Sequence, residues 1–438
     1  MSEWQETEIG RIPSDWDTTN LDSISVKVTD GAHLSPKFFN DGRLMCSIKD
    51  MRYNGFDFSD CKRISEDDFS FLKRQGCSPK KGDILISKDG EKCLNLIFVY
   101  SQNQEIVLLS SIAIVRLNEK NNPHFHRYYL LSPVGQSIMK KWFRSGSAIP
   151  RVVLKDFRNV PVPKVPFHEQ INIANILLCL DAKIDNLQKQ NQTLEKIAQT
   201  LFKQWFVDFN FPDENGNRYK DNGGEMVESE LGEIPKGWRV GILGEIANIV
   251  DCLHSKKPEK IVDNTGNILL QLNNIADRGI LDLSEKYYIS DNDYSKWISR
   301  IEISEGDCVI TNVGRYGAVA QIPKGVKAAL GRNMTGIRLK QKFNHLSAFL
   351  KVLLLSKSMY FEIERLKDSG TILDALNVKN IPKLRFKNPG EKNLCNFQLV
   401  IEANMKKVEN NVFEIQTLTK TRDTLLPKLM SGQIKVRD

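Results

Sequence analysis

The 438-residue chain has no apolar run approaching the roughly 20 residues of a membrane span; its best, Ala348 to Leu355, is broken by Lys351. This predicts a soluble protein with no membrane partner. Its first residues, Met1-Ser-Glu-Trp-Gln-Glu6, are acidic and not apolar, so neither a secretory signal nor a basic transit peptide is expected and the predicted location is cytoplasmic. Eight cysteines occur without a single C-x-x-C pair, which argues against a zinc site and predicts buried thiols. Catalytic signatures are also missing. No G-x-x-x-x-G-K-[ST], H-E-x-x-H, G-x-S-x-G or G-x-G-x-x-G occurs, and Asn122-Pro-His-Phe125 lacks the second proline of an amino-methyltransferase loop, which leaves it a turn. No convincing carboxylate, carboxylate-x-Lys set of a metal-dependent nuclease is found, and the six histidines are scattered. Neither catalytic residues nor a metal site is therefore expected.

What remains is ordinary globular material, 41% hydrophobic and 26% charged, with a net charge of +8 that suits a polyanion partner without proving one. The length exceeds a single core of roughly 250–300 residues, so several domains are expected.

The strongest internal signal is a repeat. Glu8-Ile-Gly-Arg-Ile-Pro-Ser-Asp-Trp16 returns 222 residues later as Glu230-Leu-Gly-Glu-Ile-Pro-Lys-Gly-Trp238. Asp30-Gly-Ala-His33 pairs with Asp251-Cys-Leu-His254, and Ile48-Lys-Asp-Met51 with Leu272-Asn-Asn-Ile275. Gly82-Asp-Ile-Leu-Ile-Ser87 pairs with Gly306-Asp-Cys-Val-Ile-Thr311, and Ser145-Gly-Ser147 with Ser369-Gly-Thr371. A period this long is a tandem duplication of whole domains rather than a solenoid. Short β-branched runs bounded by glycine, and helical patterns over His126 to Phe143 and Ser347 to Leu366, predict an α+β class. The repeated Asp-x-x-His pairs, without further ligands nearby, read as turn-stabilising or DNA-facing.

Each copy ends in a proline-poor stretch with spacings of three and four. Leu177, Leu180, Ile184, Leu187, Asn191, Leu194 and Leu201 form the first seam; Ile401, Val408, Asn411, Ile415, Leu418 and Leu425 form the second, 224 residues on. Two readings fit: an amphipathic helix on its own domain, or a paired coiled coil, which the length favours. Asn191, Asn404 and Asn411 could fix register, Cys179 and Cys395 read as packing residues, and Pro427 should stop or kink the second helix. If the copies are related by a two-fold axis, the helices pair antiparallel between two heads, as a rod of about 60 Å.

Basic and amide side chains suited to DNA fall at or beside predicted loops. The first copy has Lys37, Arg43, Lys49, Arg52, Lys88, Lys92, Arg144 and Arg151; the second has Lys256, Lys257, Asn273, Asn274, Arg278, Arg315, Arg332 and Asn333. The copies agree at glycine, proline, tryptophan and apolar positions but differ at polar ones such as Lys49/Asn273. One scaffold with two sets of outward side chains suggests two targets.

The paired Glu-x-Gly-x-Ile-Pro-x-x-Trp starts, the Gly-Asp-Ile-Leu-Ile-Ser strand, Leu201-Phe-Lys-Gln-Trp-Phe-Val-Asp-Phe209 and Arg422-Asp-Thr-Leu-Leu-Pro-Lys-Leu-Met-Ser-Gly432 make the chain resemble the specificity subunit of type I restriction-modification enzymes. The resemblance implies two target-recognition domains, 1–165 and 228–388, each reading half of a split site in double-stranded DNA. A central helix over 166–212, a linker over 213–227 and a C-terminal helix over 389–438 would act as spacer and as docking surface. The implied partners are two methyltransferase subunits and the restriction (endonuclease and translocase) subunits. This chain would carry no cofactor; S-adenosylmethionine, ATP and Mg would belong to the partners. The other classes open are a stand-alone nuclease or methyltransferase with unrecognised motifs, and a coiled-coil adaptor that never touches DNA.

If the helices set the gap between half-sites, inserting one heptad into each should lengthen the unread gap by about three base pairs, from about 10.5 Å of added rise. Mapping the recognised sites measures this, and an unchanged gap refutes the spacer reading.

Overall fold

A computed structural model describes residues 4–141, 150–262, 266–368 and 374–436. Arg144 and the Ser145-Gly-Ser147/Ser369-Gly-Thr371 pairing lie outside the described residues. The chain divides into two compact units, one of residues 1–185 with 417–438 and one of residues 186–416. Among the described residues, no helix is long and apolar enough to cross a membrane.

The first unit is built on a four-stranded antiparallel sheet of β1 (Ser25–Asp30), β2 (Ile84–Ser87), β3 (Ile97–Val99) and β4 (Ile112–Leu117), in the order β3-β2-β4-β1. The second has β5 (Ala247–Asp251), β6 (Cys308–Thr311), β7 (Val319–Gln321) and β8 (Met334–Leu339), whose order β7-β6-β8-β5 is the same. The duplicated sequence thus folds into duplicated sheets. Every residue of β2 and β6 is buried, because each is a central strand covered on both faces. Strand alternation divides them between two cores: Ile84 and Ile86 join one cluster and Leu85 another, as Cys308 and Ile310 separate from Val309.

The Gly-Asp turn before each central strand explains its repetition. Gly82 and Gly306 have φ of +92° and +85°, which side chains disfavour. The next aspartate is buried and accepts a backbone N–H, from Lys80 at 2.7 Å or from Ser304 at 2.8 Å. It also takes two N–H groups of an arginine on β4 or β8: Arg116 on Asp83 at 2.7 Å twice, and Arg338 on Asp307 at 2.9 and 2.5 Å. This forked pairing of guanidinium and carboxylate ties turn to strand in both units.

The predicted helix over His126 to Phe143 is two, Pro123–Leu131 and Pro133–Lys140, and that over Ser347 to Leu366 is also two, Ser347–Leu354 and Lys357–Leu366. The break is chemical. Ser132 and Ser356 leave helical geometry, and each hydroxyl caps the following helix by accepting an N–H at 3.2 Å, from Gly135 and Met359. Asn122 likewise caps the helix it precedes, accepting from the N–H groups of His124 and Phe125.

The long helices span Phe167–Phe206 and Glu391–Met430. Pro427 does not stop the second, which continues to Met430; the N–H of Ser431 still reaches the Pro427 carbonyl at 3.1 Å. In the first unit, Ile173, Ala174 and Leu177 of one helix share a core with Leu426, Leu429 and Met430 of the other. In the second unit the helices run antiparallel: the Asn411 amide donates to Asn191 at 2.8 Å, and Trp205 packs edge-on against Phe397 at 5.4 Å. Both readings of the seam therefore apply. Asn191 and Asn411 meet as a buried helix-to-helix amide pair, whereas Ala198, Phe202, Trp205, Ile401 and Val408 belong to a domain core. Leu180, Leu194, Leu201, Ile415, Leu418 and Leu425 are half-buried, and Cys179 is exposed rather than packed because it points off the seam.

His126 is wholly buried in the helix Pro123–Leu131, with Nε2 3.2 Å from the side-chain Oδ1 of Asn121, and burial pushes its pKa from 6.5 down to about 3. The folded protein holds it neutral, while the unfolded chain protonates it below its ordinary value. Its contribution to stability should therefore fade as pH drops through the window between those values, by at most about 1.4 kcal/mol per pH unit. Thermal unfolding midpoints recorded on acidification should fall less steeply in His126→Phe; parallel curves would place the sensitivity elsewhere.

Candidate nucleic-acid interface

In the second unit the structure gathers four of the sequence-predicted residues around one hollow. Lys257, Asn273, Arg332 and Asn333 line a concavity of about 320 Å³ together with Leu269, Gln271, Leu272 and Trp297. Three local devices hold the polar groups outward.

Asn273 and Asn274 lie side by side in a single 3₁₀ turn, Leu272–Asn274, and divide the work. Asn274 is buried; its Nδ2 donates to the carbonyls of Asp282 at 2.8 Å and Glu285 at 2.9 Å, and its Oδ1 accepts from the Gln271 N–H. This corrects the expectation of Asn274 as a DNA-facing amide: the framework uses it, and Asn273 alone faces solvent. Arg332 and Asn333 lead into β8 through Gly331, where a Cβ would come within 2.0 Å of the Leu270 carbonyl oxygen. Only glycine lets the backbone pass there. Asn333 then turns with φ +63°, a conformation asparagine tolerates, and its carbonyl accepts the Asn312 N–H at 2.8 Å. Lys257 rests its ammonium 4.2 Å from the centre of the Tyr287 ring, whose hydroxyl donates to the Pro258 carbonyl.

Lys256, Arg278 and Arg315 are exposed but lie outside this hollow; Arg315 pairs with Asp277 at 2.9 Å. Gln271 and Trp297 were not singled out by sequence reasoning. Their place in the repeat, opposite Ser47 and the region of Leu72, carries no distinctive motif.

In the first unit the predicted cations separate into free and committed ones. Lys49 is exposed beside Asp50, which accepts from the Ser47 N–H at 2.7 Å, the same inward and outward division as Asn274 and Asn273. Arg52 is exposed but anchored to the Lys49 carbonyl and to Asp57. Lys92 is exposed, and Arg151 pairs with Asp89 at 3.1 Å. Two expectations of solvent-facing cations are corrected. Lys88 is only 2% exposed and lies 3.3 Å from Asp30 and 3.7 Å from Asp89, since a buried ammonium requires counter-ions. Arg43 is half-buried over the Phe69 ring and bonded to Glu105 at 2.7 Å.

Sequence reasoning missed the aromatics beside Lys37. Phe38 and Phe39 are exposed; Lys62 sits 4.0 Å from the Phe38 ring centre and Lys37 5.8 Å from that of Phe39. A Phe doublet in a polar loop just after Pro36 was the available signal.

Both Asp-x-x-His pairs close, His33 on Asp30 at 3.2 Å and His254 on Asp251 at 2.7 Å. Asp251, Cys252 and His254 bring their ligand atoms within 4.8 Å of one another. The guanidinium of Arg300 lies 3.7 Å from the same Asp251 oxygen, and burial pushes the Cys252 thiol up. Both features oppose a cation. The equivalent of Cys252 in the first unit is Gly31, so the trio is not repeated. The geometry suits a turn-stabilising pair.

A family model for the type I restriction modification DNA specificity domain matches residues 14–196. The type I restriction enzyme MjaIX specificity subunit of Methanocaldococcus jannaschii is 25% identical, with 100% of this chain and 98% of that protein aligned. The type I restriction enzyme HindI specificity subunit of Haemophilus influenzae is 23% identical, over 99% and 100%. In fold, the chain is similar to the crystal structure of a type I restriction-modification system S subunit from M. genitalium, with a TM-score of 0.55 at 16% identity, covering 94% and 96%. The resemblance carried by the repeated motifs thus extends from end to end: the chain is similar over its whole length to specificity subunits of type I restriction enzymes.

Proposed function

We propose that this chain is the sequence-reading, non-catalytic subunit of a type I restriction-modification complex, with each of its two units reading one half of a split site in double-stranded DNA. The observation that carries this reading is the contrast between framework and rim. Turn, cap and sheet are repeated in both units, whereas the side chains they hold outward differ: Lys49 against Asn273, and Ser110 against Arg332. Such a contrast suits one scaffold applied to two sequences. Arg332 has the fork that matches guanine in the major groove, Asn273 and Asn333 have amides that match adenine, and Lys257 suits a phosphate.

On this reading the long helices dock two methyltransferase subunits and the restriction subunits. S-adenosylmethionine, ATP and Mg act in those partners, and the assembly works in the cytoplasm.

Methylation mapping of the host genome, with the gene intact, deleted, or carrying Arg332→Ala, tests the proposal. Deletion should erase a bipartite methylated motif. Arg332→Ala should relax one base position in one half-site, since a good bidentate contact contributes about 1–3 kcal/mol of discrimination. Methylation unchanged by deletion would overturn the reading, and uniform weakening by Arg332→Ala would reassign that residue to phosphate.

A further inference from the structure

Within the first unit, a buried ionic cluster joins the globular core to the long helices. Arg127 is 2% exposed and donates to Asp181 at 3.1 Å, to the Ile97 carbonyl and to the side chain of Asn54. Asp181 also accepts from the Tyr128 hydroxyl at 2.7 Å and from Arg422 at 2.9 Å. The Tyr53 ring lies 4.8 Å from the Arg127 guanidinium and 5.1 Å from that of Arg422. Each buried charge here has a partner.

The duplication shows what the second unit has at the same place. Several landmarks share an offset of 224: the ends of the long helices, the capping serines Ser132 and Ser356, and the left-handed glycines Gly55 and Gly279. By that offset Arg127 becomes Lys351, Asp181 becomes Met405, Tyr128 becomes Val352 and Asn54 becomes Arg278, while Ala198 stands for Arg422 and Asp277 for Tyr53. The cation is retained; its carboxylate, its second guanidinium and both aromatic rings are gone. In their place is a cavity of about 630 Å³, lined by Lys351, Val352, Met405, Arg278 and Ala198.

Lys351 is 8% exposed and makes no side-chain hydrogen bond, and no ion pair within 4.0 Å, with any described residue. Arg278 reaches the same cavity from a residue with φ +62°, which is strained for a bulky side chain. Lys196 adds a third cation to the lining against one carboxylate, Glu195, whose buried Oε1 has no partner. Glu195 attracts Lys351 and Arg278 without a direct ion pair to Lys351, so the lining holds three cations against one carboxylate, an excess of positive charge in a space large enough for a ligand.

We propose that this cavity binds a small organic carboxylate with a planar apolar body. The ligand's carboxylate faces Lys351 and Arg278, supplying the negative charge that Asp181 supplies in the first unit. Its body fills the room that Arg422, Tyr53 and Tyr128 occupy there and that Ala198, Asp277 and Val352 leave open. Nothing in this assignment depends on what the outward loops recognise.

Benzoate serves as the probe and neutral benzamide as its control, with the full chain observed by saturation-transfer NMR and thermal unfolding. Benzoate should bind saturably and raise the melting temperature, and benzamide should bind about tenfold more weakly or worse, as expected for loss of a charge-assisted contact. Lys351→Met should weaken benzoate by a similar factor. Met405→Asp, which installs the carboxylate of the first unit, should abolish benzoate binding. No binding to the unmodified chain, equal binding of benzoate and benzamide, or full affinity in a folded Lys351→Met would each overturn the proposal. If neither variant folds, the comparison of the two probes on the unmodified chain decides.

Discussion

In each unit, one carboxylate at the start of the central strand organises what surrounds it. Asp83 and Asp307 are almost wholly enclosed, and neither could be tolerated there as an isolated charge. Each is neutralised by an arginine from the neighbouring strand and bonded by the N–H of its own turn. That fork holds the Gly-Asp turn against β4 or β8. The segment entering β8 carries Arg332 and Asn333, so the reach of those side chains is measured from a strand whose position an ion pair sets. On the DNA-reading function proposed above, a loop that keeps atoms at fixed distances from a duplex needs such an anchor.

Much of this was legible in the sequence because it depends on local rules. The offset repeat marks the two units, and the Gly-Asp-β-branched runs mark central strands. The three-four spacing marks the long helices, and asparagine on that spacing foreshadows the Asn191–Asn411 contact. The serine breaks at Ser132 and Ser356 were not seen, although Ser-Pro at 132–133 was a visible cap signal; apolar periodicity simply continued across it. Pro427 was over-read, because the helix needs only a few residues beyond it before ending at Met430.

The candidate site was less legible for a physical reason. Charge type does not reveal whether a cation is free, since that depends on which carboxylates the fold brings near. Lys88 and Lys49 look alike in sequence, yet one is enclosed by Asp30 and Asp89 and the other faces water. Asn273 and Asn274 differ only in which of two adjacent residues points inward. Non-local partners decide these cases, and no spacing rule carries that information.

The cluster of Arg127, Asp181 and Arg422 draws its members from a domain helix and from both long helices, at three widely separated points of the chain. Both arginines share the one carboxylate of Asp181, so the three positions cannot drift independently. A neutral replacement at residue 181 strips both arginines of their shared carboxylate, and the second unit, with Lys351, Met405 and Ala198, holds a different combination of the same positions. Gene conversion or domain shuffling among related genes would therefore succeed or fail according to its breakpoints. A crossover that imported a foreign C-terminal segment without Arg422, or a foreign central helix without Asp181, would leave an incompatible hybrid, even with every surface residue intact. The ionic cluster thus acts as an evolutionary linkage group, restricting which parental segments can be recombined.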